Sequence, residues 1–364
     1  MERKIDVGIL GATGMVGQRY VSLLENHPWF KLTSVAASPN SAGKSYENAV
    51  AGRWHIDRDI PPHARNLTVR DANDVDSVVK ECSSVFSALE LNKQDTMNLE
   101  NKYASLGIPV ISNSSAHRTT EDVPMIIPEI NSSHTDIIPS QKIRRGWNSG
   151  FIVVKPNCSI QSYLTPVYAL MNDGFNINKL IVTTMQAVSG AGYPGVASLD
   201  IIENIIPYIS NEEQKTEDEP KKILGNLING KIIPCSSLSI SAHCNRVPVI
   251  DGHMACVSLG FEGRKPSSLE EVISIWNSFT SVPQKLNLPQ APTQPIIYRE
   301  EIDRPQPRKD RGADKGMAVS VGRLRKCNVL DLRFVGLSHN TIRGAAGGGI
   351  LNAELLFKKG YLQA

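Results

Sequence analysis

The sequence has few cysteines for its length, and none of them forms a Cys-x-x-Cys pair. Six cysteines are spread over 364 residues, at positions 82, 158, 235, 244, 256 and 327. A chain of this size can bury a large core and needs no disulfide bonds to stay folded. The pattern excludes a disulfide-rich secreted scaffold and predicts reduced thiols in the cytoplasm.

A zinc site is not indicated either. The candidate ligands are Cys235, His243, Cys244, His253 and Cys256. Their spacings match no structural zinc finger, and adjacent residues on a strand point to opposite faces. We therefore predict no bound metal.

The chain also lacks a strong charge bias and a membrane-like hydrophobic run. Lysine and arginine (39) outnumber aspartate and glutamate (36) by three, which favours neither nucleic acid nor an anionic membrane surface. The start, Met1 to Gly11, mixes acids with bases and is not typical of a signal peptide. The longest uncharged stretch, 180–199, contains three glycines and a proline, which indicates a strand and a loop. Small molecules are the expected partners, with no nucleic acid and no membrane.

The length and a change of pattern near residue 155 predict two domains. Predicted strands and helices alternate up to residue 155, as in a parallel, doubly wound α/β sheet. After it, hydroxyl-rich alternating segments predict a mostly antiparallel sheet with helices on one face, an α+β arrangement. We place a Rossmann-like dinucleotide-binding domain at 1–155, completed by an amphipathic C-terminal helix within 341–364, and a second domain at 156–340. The charged segment 299–315 is either a solvated loop or a subunit contact.

A glycine pattern follows the first predicted strand and opens a helix. Gly11, Gly14 and Gly17 occupy this turn. Small residues there let backbone N–H groups approach a pyrophosphate at the positive end of a helix. The turn is either a dinucleotide site or an ordinary tight connection between a strand and a helix.

The end of the second predicted strand favours NADP over NAD. An NAD enzyme carries a carboxylate there for the ribose 2′-hydroxyl, and no acid occurs between Phe30 and Tyr46. Ser38, Ser41 and Lys44 instead offer two hydroxyl groups and a cation. This set suits a 2′-phosphate.

Cys158 lies between a predicted strand and a predicted helix. A thiol at a helix N-terminus is expected to be more acidic, so Cys158 is either a reactive nucleophile or a buried structural cysteine. Pro166 falls inside that helix and predicts a kink. A hairpin turning at Pro248 would bring Arg246 and His253 to one pocket; otherwise they are a surface arginine and a hydrogen-bonded core histidine.

Taken together, five motifs resemble the aspartate-semialdehyde dehydrogenase family. They are Gly11-Ala12-Thr13-Gly14-Met15-Val16-Gly17, Pro156-Asn157-Cys158-Ser159, Gln186-Ala187-Val188-Ser189-Gly190-Ala191-Gly192, Arg246 with His253, and Asn340-Thr341-Ile342-Arg343-Gly344-Ala345-Ala346-Gly347. Segments 38–44 and 304–311 resemble the archaeal and fungal branch. The motifs span nearly the whole chain in the family's order.

The resemblance implies reversible NADP-dependent oxidation of L-aspartate 4-semialdehyde with phosphate to 4-phospho-L-aspartate. Biosynthesis runs the reduction, towards threonine, methionine and lysine. A Cys158 thiolate would attack the aldehyde, and the adduct would lose hydride to become a thioester that phosphate cleaves. His253 matches the family's acid/base, and Gln186 matches the residue that orients the reacting centre.

The resemblance also implies how substrate and cofactor are held. Arg246 matches the clamp on the α-carboxylate, Glu212 the acid that faces the amino group, and Arg118 with Lys215 the phosphate-binding pair. Amides around Asn157 and Cys158 would stabilise an oxyanion. Pro220 and the acids at 217–219 leave the register of segment 212–222 open. The implied NADP contacts are Gly11, Thr13, Gly14, Met15, Val16, Gly17, Ser38, Ser41, Lys44, Ser189, Gly190, Asn340 and Thr341.

Two other functions fit the same sequence. An acyl-CoA reductase, such as archaeal malonyl-CoA reductase, would keep the cysteine and replace phosphate by coenzyme A. A non-catalytic NADP-binding regulator would keep the fold and lose the reactive residues. The resemblance further implies that residues 156–340 carry catalysis and dimerisation, in a homodimer or homotetramer.

Overall fold

The computed structural model describes residues 4–363, which include two six-stranded sheets. Residues 1–3 and 364, at the outer ends of the two predicted segments of the first domain, lie outside the described residues. No helix within the described range is both long enough and apolar enough to cross a membrane.

The first sheet is parallel throughout, with strand order β3-β2-β1-β4-β5-β6. Its strands are β1 (Ile5–Leu10), β2 (Phe30–Ala37), β3 (Val69–Asp71), β4 (Ser84–Ser87), β5 (Val110–Ser112) and β6 (Ile152–Val154). The helices between them are α1 (Met15–Leu23), α2 (Tyr46–Ala49), α3 (Pro62–Arg65), α4 (Val75–Val78), α5 (Lys93–Ser105), α6 (Pro128–Asn131) and α7 (Ile138–Arg145), with a 3₁₀ turn at Ser132–Ile137. The chain winds one way from β1 and the other way from β4. This switch point opens a crevice at the carboxyl ends of β1 and β4, where doubly wound sheets bind ligands.

The second sheet is mixed, with strand order β10-β7-β11-β14-β13-β12. Its strands are β7 (Asn176–Gln186), β10 (Ser239–Arg246), β11 (His253–Glu262), β12 (Ile296–Arg299), β13 (Val319–Lys326) and β14 (Leu332–Ser338), and a separate hairpin is formed by β8 (Asn226–Ile228) and β9 (Lys231–Ile233). β11 pairs antiparallel with β7 and β14, and so does β13 with β14. β10–β7 and β12–β13 are parallel pairs. The predicted fold class is therefore confirmed, and three of the five strand pairs in this second sheet are antiparallel.

Short helices connect the strands of this second part of the chain. They are α8 (Leu164–Asn172), α9 (Ser198–Ile201), α10 (Glu212–Ile223), α11 (Leu269–Ser278), α12 (Val282–Lys285), α13 (Pro307–Asp310), α14 (Ala313–Gly316) and α15 (Gly347–Lys358), with 3₁₀ turns at Ser159–Ser162 and Val188–Ala191 and a π-helical turn at Ile342–Ala346.

The helix α15 returns to the first sheet, as the sequence predicts. Ile350, Ala353 and Leu356 join the apolar core that contains Tyr20 of α1. The prediction of an amphipathic helix is wrong, because every residue from 347 to 356 is buried. Its other side packs against Ile126, Leu288 and Met317 through Leu351 and Leu355. The C-terminal helix is thus a central element of the fold.

The chain after Cys158 does not form one continuous helix. A single 3₁₀ turn ends at Ser162, and α8 begins at Leu164. Pro166 is therefore in the first turn of α8, where backbone N–H groups have no partner inside the helix. The kink predicted at Pro166 is replaced by this break before Leu164.

The charged segment 299–315 is anchored to the protein. The buried Asp310 carboxylate accepts a hydrogen bond from Arg304 Nε at 2.7 Å and forms an ion pair with Arg299 Nε at 3.1 Å. The segment includes α13 and α14 and is more ordered than the solvated loop expected from its composition. Whether it also forms a subunit contact stays a prediction.

Candidate active site

The glycine turn after β1 is built by close backbone contacts. A Cβ on Gly11, whose φ is +78°, would lie 2.3 Å from the carbonyl oxygen of Ala88, and one on Gly17 would lie 2.2 Å from that of Gly11. Both positions therefore exclude any side chain. Gly14 is different, since its nearest neighbour would be 3.5 Å away. It leaves open space at the N-terminus of α1, where a pyrophosphate would fit.

A cavity of about 320 Å³ extends from this turn over the ends of β1, β2 and β4. Its lining includes Gly11, Thr13, Gly14, Met15, Ala37, Ser38, Pro39, Arg53, Asn73, Leu89, Glu90 and Tyr193. Ser38 lies in the wall as predicted. Ser41 is buried and does not line the cavity, and its hydroxyl group accepts a hydrogen bond from Arg53 Nη2 at 3.1 Å.

Lys44 does not line this cavity, so its predicted cofactor contact is not supported. The backbone carbonyl of Lys44 accepts a hydrogen bond from Val69 at the start of β3, and the lysine side chain is exposed. This pairing keeps residue 44 at the outer edge of the sheet. The cation that does border the cavity is Arg53, which no sequence pattern singles out.

A second cavity, of about 270 Å³, contains Cys158. Met15 and Glu90 line both cavities, so the two adjoin. The predicted residues that border the second cavity are Met15, Val16, Arg118, Asn157, Cys158, Ser189, Gly190, Glu212, Lys215, Asn340 and Thr341. Residues far apart in sequence are thus brought together beside the nucleotide crevice.

Cys158 and His253 form a hydrogen-bonded pair, with Sγ and Nε2 3.3 Å apart. Nδ1 of His253 accepts a hydrogen bond from the backbone N–H of Ala187 at 3.0 Å, so the ring hydrogen lies on Nε2 and points at the sulfur. Burial, with a further contribution from the nearby Arg246, lowers the pKa of His253 to about 3. The imidazole is therefore neutral near pH 7.

The thiol of Cys158 is less acidic than the sequence predicts. Burial, together with the nearby Glu212 carboxylate, raises its pKa to about 11. The helical segment behind it is only the four-residue 3₁₀ turn, so its dipole is small. Lys155, Arg118 and Arg246 act in the opposite direction and only partly offset the rise. The expectation of an acidified thiol is thus wrong for this state of the site.

The Glu212 carboxylate joins three functional side chains. Asn157 Nδ2 donates to its two oxygens at 2.8 and 2.9 Å, Gln186 Nε2 donates at 3.0 Å, and Lys215 Nζ donates at 2.9 Å. Burial alone would raise the pKa of Glu212, but the Lys215 ammonium and these hydrogen bonds lower it. Because α10 begins at Glu212, the register of this segment places the acid in the site.

Arg246 and His253 meet at one place, but not through a hairpin. A Cβ on Gly190 would lie 3.0 Å from both Arg246 Nη1 and His253 Cε1. Their strands β10 and β11 are separated by β7, so the predicted direct pairing of these strands is wrong. β7 and β10 end where antiparallel β11 begins, which also brings Gln186 to this edge.

Glu219 belongs to the site although the sequence did not single it out. Its carboxylate accepts hydrogen bonds from Arg118 Nη1 at 2.9 Å and from the backbone N–H of Asn157 at 2.6 Å. Glu212 and Glu219 are seven residues apart, which places them on one face of α10. That spacing is the sequence signal that could have identified Glu219.

Within residues 4–363, no three histidine, cysteine, aspartate or glutamate side chains come together in a way that could hold a metal ion.

Comparison with known proteins decides the family. The model of the semialdehyde dehydrogenase NAD-binding domain matches residues 6–138, and that of the semialdehyde dehydrogenase dimerisation domain matches residues 167–343. The aspartate-semialdehyde dehydrogenase of Archaeoglobus fulgidus is 46% identical over 98% of this chain and 99% of that protein. The chain belongs to the aspartate-semialdehyde dehydrogenase family. The aspartate-semialdehyde dehydrogenase of Cryptococcus neoformans is 42% identical over 99% of both chains, in keeping with the archaeal and fungal branch.

Solved structures of aspartate-semialdehyde dehydrogenases have the same fold. The enzyme of Candida albicans, solved with NADP, superposes with a TM-score of 0.90 at 40% identity, covering 99% of this chain and 100% of that one. The second aspartate-semialdehyde dehydrogenase of Vibrio cholerae gives a TM-score of 0.75 at 24% identity over 98% of this chain and 99% of that one, which shows the common fold alone. The chain is thus an oxidoreductase with the NADP-binding fold of the aspartate-semialdehyde dehydrogenases.

Proposed function

We propose that this chain catalyses the reversible, NADP-dependent conversion of L-aspartate 4-semialdehyde and phosphate to 4-phospho-L-aspartate. The observation that supports it best is the Cys158–His253 pair, in a cavity that shares Met15 and Glu90 with the nucleotide crevice. A thiol at this junction can form a covalent adduct within reach of the cofactor.

The crevice fits a dinucleotide, since Gly14 leaves open space at the N-terminus of α1 and Ser38 and Arg53 border the cavity. NADP, when bound there, accepts or supplies the hydride. The residues we assign to it are Gly11, Thr13, Gly14, Met15, Val16, Gly17, Ser38, Ser189, Gly190, Asn340 and Thr341. Arg53, which borders the same cavity as Ser38, takes the place of Lys44 in this assignment.

Cys158 is the proposed nucleophile. Its sulfur bonds to the aldehyde carbon, the carbonyl oxygen becomes an alkoxide or hydroxyl group, and loss of hydride leaves a thioester that phosphate cleaves. In the tautomer of this structure, His253 presents a hydrogen to the sulfur and to an oxygen formed beside it. Acid/base action at Nε2 requires the ring hydrogen to move, and it stays a prediction. Gln186 orients Glu212, with which it shares a hydrogen bond.

The charged side chains suit a zwitterionic substrate. Arg246 is 6% exposed and donates one hydrogen bond, to the carbonyl oxygen of Ala187 at 2.8 Å, which leaves further N–H groups for the α-carboxylate. We assign the amino group to Glu212 and phosphate to Arg118 and Lys215. Arg118 is paired with Glu219, and Lys215 is paired with Glu212. Phosphate binding would therefore compete with these ion pairs.

The first experiment compares substrates. We expect NADP reduction with aspartate semialdehyde to require phosphate, and we expect no NADPH oxidation with malonyl-CoA. The reverse pattern would establish the acyl-CoA reductase. No turnover with either substrate, combined with normal NADP binding, would favour the non-catalytic regulator.

The second experiment tests the nucleophile. Cys158→Ala should reduce turnover more than about a thousandfold while NADP affinity stays within twofold. Cys327→Ala is the matched control, because Cys327 lies in the turn after β13 and borders neither cavity. Substantial turnover by Cys158→Ala would contradict the assignment.

We further propose that the chain forms a homodimer or homotetramer in the cytoplasm. The match to a dimerisation domain over residues 167–343 supports an oligomer. We also propose that residues 1–155 with 341–364 form one folding domain and residues 156–340 the other. Sedimentation at micromolar concentration would determine the oligomeric state.

A further inference from the structure

Lys155 is an ionisable residue next to the active site that the proposed mechanism does not yet use. It follows β6 directly and is 2% exposed. Its Nζ is buried and has no hydrogen-bond partner among the described residues. Ammonium groups are almost never buried without a partner, because desolvation of the charge is costly. This lysine therefore needs an explanation in terms of a charge that forms nearby.

The C-terminal helix places Lys155 beside the proposed nucleophile. A Cβ on Gly344 would lie 2.8 Å from Cβ of Cys158, and a Cβ on Gly348 would lie 2.4 Å from Cε of Lys155. Gly344 lies in the π-helical turn Ile342–Ala346 and Gly348 in the first turn of α15, four residues further along the same helical segment. The distal end of Lys155 and the Cys158 side chain thus contact adjacent positions of the same surface.

The other groups around the sulfur are poorly suited to balance a thiolate. His253 is neutral and provides only a hydrogen bond. Arg118 is paired with Glu219, and Arg246 donates to a backbone carbonyl. Glu212 is a carboxylate close enough to oppose ionisation of the thiol. Among these cations, Lys155 alone has no bonded partner within the described part of the chain.

The amine is also poised to change charge. The pKa of Lys155 is lowered to about 7, mainly by burial and also by Arg118 and Arg343. A Cys158 thiolate has the largest effect in the opposite direction, and Glu219 also raises this pKa. Ionisation of the cysteine and protonation of the lysine therefore favour each other.

We propose that Lys155 is a positioning residue whose ammonium group is the counter-charge of the Cys158 thiolate. In the coupled step the S–H bond breaks, an N–H bond forms on Nζ, and the net charge of the site stays constant. The inference rests on the proposed role of Cys158 as nucleophile, and it adds the group that favours ionisation of this buried thiol.

The test measures thiolate formation rather than turnover. Purified full-length protein is treated with iodoacetamide between pH 6 and 10, and the labelled Cys158 peptide is quantified by mass spectrometry. Lys155→Met, which keeps the length and volume of the side chain, should lower the alkylation rate at pH 8 about tenfold and shift the pH profile to higher pH. Lys359→Met is the matched control. It removes one positive charge just after α15, about 16 Å along the helix axis from Gly348, which contacts Lys155.

A purely structural role predicts a different result. Loosened packing around Lys155 would expose the thiol and leave its alkylation unchanged or faster. An alkylation rate of Lys155→Met within twofold of the wild type, or above it, would overturn the inference, whereas a larger decrease with normal NADP binding supports it. Lys155→Gln replaces Lys155→Met if the melting temperature shows that the latter is unfolded. Failure of the proposed function is recognised separately, by turnover in Cys158→Ala.

Discussion

Substitution of Gly344 by alanine is expected to damage catalysis far more than stability. The added Cβ would lie 2.8 Å from Cβ of Cys158, whereas carbon atoms in contact are about 3.5–4.0 Å apart. The helix and the cysteine must therefore separate by about 1 Å. Overpacking of this kind costs about 1–3 kcal/mol, and replacing glycine by alanine in a helix returns up to about 1 kcal/mol. The net loss of stability, about 0–3 kcal/mol, is smaller than the stability of a typical folded protein, so we expect the variant to fold.

Displacement of a reacting group by about 1 Å can reduce the rate about a hundredfold. We therefore expect kcat/KM of Gly344→Ala for aspartate semialdehyde to fall by about two orders of magnitude, with NADP affinity nearly unchanged. Gly312→Ala is the matched control, because no atom lies within 4 Å of its added Cβ. Steady-state kinetics and thermal unfolding of both variants test this. Activity of Gly344→Ala within threefold of the wild type would refute the proposed link between this contact and the position of the sulfur.

Three further outcomes are expected. Arg246→Lys should lower kcat/KM for aspartate semialdehyde about 10–100-fold, because an ammonium group cannot reproduce a two-bond contact with a carboxylate; unchanged kinetics would remove Arg246 from the substrate site. Ser38→Asp should shift the kcat/KM ratio from NADP towards NAD at least tenfold, because a carboxylate repels the 2′-phosphate. Lys44→Ala should leave this ratio unchanged. Equal ratios in the wild type and both variants would show that Ser38 does not contact the 2′ position. Burial raises the pKa of Glu100 from 4.5 to about 7, so the protein loses stability as the pH rises from 4.5 to 7, where only the unfolded chain ionises this carboxyl group, and the loss is constant at higher pH. Glu100→Gln should therefore raise the free energy of unfolding at pH 8.5 by about 3 kcal/mol and have a much smaller effect at pH 5, as measured by urea unfolding; a lower stability at both pH values would contradict this.

Local features of the site could be predicted from the sequence because short segments determine them. The order of β1, the glycine turn, α1 and β2 follows from contacts within about thirty residues, and the second predicted strand is present as β2 (Phe30–Ala37). The motif around Cys158 likewise marks a junction between a strand and a helical turn.

Features that depend on strand order or on burial could not be predicted in this way. β10 and β11 follow each other in the sequence, but β7 lies between them in the sheet. Neither strand contains a sequence pattern that indicates this. The pKa of Cys158 is set by its surroundings rather than by the adjacent turn. The exposed position of Lys44 likewise follows from its pairing with Val69 across the sheet edge.

The buried C-terminal helix has a consequence for the order in which this protein can acquire its structure. The core beneath β1 and α1 is completed by Ile350, Ala353 and Leu356, which follow the whole second sheet along the chain. The first domain therefore keeps an uncovered apolar groove until the second domain has been made. The π-helical turn before this helix and the first turn of the helix present Gly344 and Gly348 to the reactive segment, so the nucleotide site and the nucleophile are both completed after the second sheet has been made. A chain that lacks its last helix would have most of its residues and neither of these sites.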